Sequence, residues 1–116
     1  MRAWRRKSVS RQGNNQFGIL GLCMRAGKLV TGAQGAEKAI KSGEGVLALF
    51  DASASDGTKK AIRDACAYAR VEWLQLPEGV LSRETGKSGR MAAAVTDASF
   101  ARGILRAVQE ASKQYD

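Results

Sequence analysis

The chain reads as an α/β protein, with helices on both faces of a small, partly parallel sheet. Three observations predict this. Segments of helical and strand periodicity alternate along nearly the whole chain. Two apolar runs, VLALF at residues 46–50 and MAAAV at 91–95, have no polar interruption, as expected for strands covered on both faces. Gly27, Gly43 and Pro77 stand between segments rather than within them.

Each element follows from its own pattern. Asn14 and Asn15 are good helix caps, and Phe17, Leu20 and Met24 then form one apolar helical stripe. Gly27 suits the end of that helix. Residues 28–31 make a short strand. A helix over 32–42 is carried by Ala33, Ala36, Ala39 and Ile40 and stops at Gly43. The strand over 46–50 follows. Ser55 caps the next helix, whose apolar positions are Ala61, Ile62, Ala65, Cys66 and Ala69. Residues 71–76 form a strand stopped by Pro77, 80–85 a short helical turn, and 91–95 the last strand. Asp97 caps a final helix with Phe100, Ala101, Ile104, Leu105 and Val108 inward, and Arg102, Arg106 and Lys113 outward.

Length and composition narrow the function. The 116 residues suit one domain, and no apolar stretch is long enough to span a bilayer. Histidine is absent, which removes the commonest general base, the usual serine triad and most zinc sites. Cys23 and Cys66 are isolated on apolar helical faces and read as reduced core thiols. The 19 basic residues exceed the 11 acidic ones, for a net charge of +8. Arg2, Arg5, Arg6, Lys7 and Arg11 crowd residues 1–13 with no acid among them. That segment reads as a disordered basic arm, with Trp4 as a candidate base-stacking residue, and 14–116 as a single domain. After Lys7 the chain is polar, so no secretion signal is expected and the protein is predicted to be cytoplasmic. The charge favours a polyanionic partner.

Nucleotide chemistry is not expected. Gly21 and Gly27-Lys28 lack both the spacing and the hydroxyl residue of a phosphate loop. Gly86-Lys87-Ser88 lacks the upstream glycine, because position 81 is Leu81. Asp51 and Asp56 are the nearest approach to a magnesium pair, and Asp56 reads better as a first-turn helix acid. No catalytic constellation emerges, so the chain is expected to be neither an enzyme nor a holder of cofactor or metal.

The most unusual stretch is GKLVTGAQGAEKAIKSG, residues 27–43. A strand ends at Thr31 and a helix begins at once, with Gly32 and Gly35 leaving its first turn nearly bare. Glycines there weaken a helix by roughly 1 kcal/mol each at interior positions. They also allow a ligand backbone to approach free N–H groups. Gln34 can donate and accept at a base edge, and Lys28, Lys38 and Lys41 add positive charge. A loosely capped helix with solvated lysines is the plain alternative.

The run from Gly18 through Val108 resembles the kink-turn RNA-binding superfamily of ribosomal proteins L-seven-Ae and L-thirty-e, most of all its small bacterial members from transcription–translation factor operons. The likeness rests on LGLCMRAGKLVTG at 20–32, KAIKSGEGVLALF at 38–50, ASDGTKK at 54–60 and AVTDASFA at 94–101, in that order and spacing. The resemblance implies a three-layer α-β-α sandwich with a four-stranded mixed sheet. It also implies an RNA surface made of the Gly32 junction, its helix start and loops at the same end. In the family that helix begins Gly-Ala-Asn-Glu-x-Thr-Lys. Gly32, Ala33 and Lys38 match, whereas Gln34 replaces the Asn, Gly35 the Glu and Glu37 the Thr. The family further implies an acidic residue near RNA after the second strand, here Asp51. A short apolar-basic segment before the last strand, here Leu81, Ser82 and Arg83, would meet extruded nucleotides. The expected partner is therefore structured RNA, ribosomal or otherwise, with ribosome, translation or transcription factors beside it and no membrane. A protein-interaction adaptor on the same fold is the alternative, suggested by the departures at Gln34 and Gly35.

Overall fold

The structure is a computed structural model that describes residues 17–113. The basic arm, Trp4 and the Asn14–Asn15 caps lie outside the described residues. The elements are α1 (Gly18–Arg25), β1 (Leu29–Thr31), α2 (Ala33–Ser42), β2 (Leu47–Asp51), α3 (Asp56–Ala69), β3 (Glu72–Leu76), α4 (Val80–Thr85), β4 (Ala92–Val95) and α5 (Ala98–Lys113). No helix among the described residues is long and apolar enough to cross a membrane.

The sheet has four strands in the order β1-β4-β2-β3. β4 is antiparallel to both β1 and β2, while β2 and β3 run parallel and are joined through α3. Alternation along β2 divides its side chains between two cores. Leu47 and Leu49 face a cluster with Leu20 and Cys23 of α1, Leu81 of α4 and Ile104 of α5. Ala48 and Phe50 face a second cluster with Ala36 and Ile40 of α2 and Ile62 and Cys66 of α3. The molecule is thus the α-β-α sandwich with a four-stranded mixed sheet that the sequence predicts.

Local chemistry sets the boundaries. Gly27, at φ +74°, ends α1: its N–H donates to Met24 O at 3.0 Å, and Lys28 N–H donates to Cys23 O at 2.9 Å. Gly43 closes α2 in the left-handed region. Ser55 accepts from Thr58 N–H at 3.1 Å, and Asp97 accepts from Phe100 N–H at 3.0 Å, so both expected caps form. The second strand lies one residue later than the apolar run suggests. Asp51 N–H still donates to Met91 O at 2.8 Å; at the other end Val46 N–H donates to Val95 O at 2.7 Å, but its side chain is 41% exposed. Both cysteines are free and buried; burial pushes the Cys66 thiol up to about 11, and burial with the nearby Asp97 carboxylate does the same for Cys23.

Candidate functional site

Strand register gathers several junctions at one end of the sheet. Thr31 lies opposite Ala93, Phe50 opposite Ala92, and Asp51 beside Leu76. The end of β1, the start of β4, the ends of β2 and β3 and the starts of α2 and α3 therefore share that end. The glycine-marked junction sits within it.

Gly32 is the N-cap of α2, at φ +98° and ψ 144°, a conformation open to glycine and strained for other residues. Its N–H donates to Ala92 O at 2.9 Å, and its carbonyl accepts from Ala36 N–H at 2.9 Å. Among the described residues, no side chain caps the helix. The early N–H groups of α2, with the partial positive charge of the helix end, are thus left without a side-chain acceptor among the described residues. Gly35 has an internal explanation: a Cβ there would stand 3.1 Å from Val30 Cγ1. Its bareness lets the start of α2 lie close against β1.

From this start, Gln34, Lys38 and Lys41 recur at spacings of four and three along one exposed face of α2. With Glu37 and Ser42 they line an open depression of about 530 Å³. Ala33 is half-buried in the first turn and packs against the α2–α3 core.

The structure adds a residue that sequence reasoning missed. A Cβ built on Gly32 would lie 3.7 Å from Arg90 Nη1. Arg90 Nε is buried and, among the described residues, has no hydrogen-bond partner. Leaving such a donor unpaired costs about 1–3 kcal/mol, so its place beside an uncapped helix start calls for a reason. The signal in the sequence was a lone arginine between Gly89 and the apolar run that enters the sheet.

Other expected site residues are placed differently. Asp51 reaches this end of the sheet, but its carboxylate is fully buried. It accepts from Ser53 N–H at 2.8 Å, Ser53 O–H at 2.6 Å and Gly79 N–H at 2.8 Å. Burial pushes its pKa up, yet these hydrogen bonds and the Lys59 charge outweigh burial and hold it below the ordinary carboxylate value. Asp51 braces the loops that frame the site. Leu81, expected to lie under a base, is corrected: it is fully buried in the α1–α4–α5 core. Ser82 is half-buried, and exposed Arg83 pairs with Glu84 at 3.1 Å. Lys41 sits in the last turn of α2 and pairs with Glu37 at 2.9 Å, which raises its pKa. Lys28 precedes β1, whose Leu29 lies opposite Val95, so it stands at the other end of the sheet. Of the junction lysines, exposed Lys38 is nearest the start of α2.

No family model matches the chain. Curated relatives do. The chain is 36% identical over 94 residues to RNA-binding protein YlxQ of Bacillus subtilis, spanning 80% of this chain and 94% of that protein. It is 32% identical to RNA-binding protein YlxQ of Enterococcus faecium, over 78% of this chain and 90% of that protein. Among solved structures, a Bacillus halodurans protein of unknown function superposes with a TM-score of 0.77 at 29% identity, covering 82% of this chain and 97% of that one. The 15.5kD RNA binding protein of Giardia lamblia superposes with a TM-score of 0.64 at 16% identity, covering 84% of each chain, and shares the fold.

Proposed function

The chain belongs to the YlxQ family of RNA-binding proteins, and from that premise we propose that its Gly32 end binds a structured, kink-turn-like RNA in the translation machinery, without catalysing a reaction. One observation carries the reading. The Arg90 guanidinium, whose buried Nε has no hydrogen-bond partner among the described residues, stands beside the uncapped start of α2. A phosphate or a base-edge carbonyl that meets the Arg90 Nη groups also meets the helix N–H donors.

The remaining roles follow from position. Gln34 offers an amide to a base edge, and Lys38 meets the backbone next to it. Gly32 and Ala33 keep the approach clear. RNA readers of this sort grip kinks and splayed bases, because the deep groove of an RNA duplex is closed to side chains. The basic arm adds affinity of the sequence-independent, salt-sensitive kind.

The test is a fluorescence-anisotropy titration of the full-length protein at two salt concentrations. One RNA carries a kink-turn; its partner of equal length has the G·A pairs replaced by Watson–Crick pairs. A preference for the kinked RNA that persists at the higher salt and is lost in Arg90→Ala supports the reading. Equal, weak, salt-erased binding of both RNAs would reduce the RNA signal to net charge and put the adaptor reading first.

A further inference from the structure

A second group of residues lies along the outer edge of β3, which among the described residues pairs only with β2. Trp73 on this strand is 43% exposed. One side of its ring stacks on buried Phe50, with centroids 5.1 Å apart and planes inclined by 29°. The Arg63 guanidinium carbon lies 5.9 Å from the Trp73 ring centroid. Arg63 sits one helical turn beyond Lys59, so α3 presents both on the flank above β3. Arg70, in the left-handed region at the end of α3, continues that flank.

Nearby Lys60 pairs with Asp64 at 2.8 Å, and Lys41 pairs with Glu37 at 2.9 Å. Among the described residues, Lys59, Arg63 and Arg70 have no carboxylate within salt-bridge distance. Lys59 lies close enough to Asp51 to help lower its pKa, which ties the start of this line to the Gly32 end of the sheet. Positive charge therefore runs from the framing loops to an aromatic step on the molecule's edge.

We propose that the Arg63–Trp73 step is a second RNA contact, which takes an unpaired nucleotide flanking the structured RNA held at the Gly32 end. The base stacks against the exposed Arg63 guanidinium beside the indole, and successive phosphates of the strand follow α3, toward Lys59 at one end and Arg70 at the other. This rests on the RNA reading of the Gly32 end. Charge selects the occupant: a cation on the aromatic ring, with Lys59 and Arg70 at either end of the same helix, suits a polyanion with planar bases better than a neutral peptide strand added to the β3 edge.

The experiment compares the full-length protein on blunt kink-turn RNA, on the same RNA with a single-stranded extension of about six uridines, and on the free extension. The extension should tighten binding by roughly tenfold, the worth of one stacked base. Arg63→Glu, an exposed substitution, should erase that gain while leaving blunt-RNA affinity within about twofold, as expected of a contact reserved for the extension. Trp73→Phe should retain part of it. Thiouridine in the extension should crosslink to the tryptic peptide spanning residues 71–83. An extension that adds nothing, a gain indifferent to Arg63→Glu, or a crosslink confined to other peptides would overturn the proposal. So would burial of Trp73 by self-association through β3, read by sedimentation and lost in Arg63→Glu. If blunt RNA does not bind but the free extension binds in an Arg63-dependent way, the Gly32 reading fails, and the flanking contact is overturned in favour of a free-standing single-strand site at Arg63–Trp73. If neither RNA binds, both fall.

Discussion

Asp51 Oδ2 accepts a hydrogen bond from Gly79 N–H at 2.8 Å and so pins the end of β2 to the turn that starts α4. Its other carboxylate oxygen holds Ser53. One buried side chain thus fixes two of the loops around the Gly32 end.

Asp51→Asn should therefore cost about 1–3 kcal/mol in urea unfolding at neutral pH, because a buried acceptor becomes a donor facing N–H groups. The pH dependence has a definite sign. The folded-state pKa of Asp51 lies below its unfolded value, so its contribution is complete above the unfolded pKa of about 4 and fades as the pH falls through the folded value. The stability gap between wild type and variant should narrow below about pH 4, seen in parallel denaturation series.

Two glycines at the same junction should respond differently to alanine. Gly32→Ala forces a side chain into positive φ and should lower stability by roughly 1–3 kcal/mol. At Gly35 the new methyl meets the end of the Val30 side chain at 3.1 Å, while the helix gains about 1 kcal/mol in propensity, so the net change should be small. Thermal unfolding of the two variants should separate by several degrees.

Binding should depend on place more than on charge. Arg90→Ala should weaken kink-turn RNA binding by at least about tenfold, the worth of a charge-assisted hydrogen bond. Lys38→Ala should lower the slope of log affinity against log salt by about one. Lys41→Ala, at a lysine already paired with Glu37, should do much less. Equal effects at all three positions would mean that only net charge is sensed.

The two thiols should be silent in the native protein. Cys23 and Cys66 are buried, and their thiols are pushed up to about 11, so little thiolate forms near pH 8. An Ellman assay should read near zero thiols in buffer and both in guanidinium. Fast native labelling would place either cysteine outside the core.

What the sequence disclosed follows from periodicity. The alanine-rich run 91–95 had to be a doubly covered strand, and the stripes through Leu20, Ile40, Ile62 and Ile104 had to face inward; all four side chains are buried. Local caps at Ser55 and Asp97 were legible because their partners lie three residues away. Long-range relations were hidden. An aspartate at a strand end looks like a loop residue until the fold brings Gly79 to it. A six-residue helix such as α4 is too short for its pattern to show that Leu81 points inward. Arg90 acquires its meaning from the pairing of β1 with β4, which sets it beside Gly32.

β4 presents Ala92, Ala93 and Ala94 in succession, all fully buried, at the heart of the sheet. Side chains this short let the helical layers settle low on either side, so the height of α2 above the sheet is set by methyl groups. The exposed face of α2, with Gln34 and Lys38, rides at that height. Enlarging Ala94 by two carbons would tilt the outer surface from within, with no exposed atom replaced. In this protein the ruler for the surface lies in its least reactive strand.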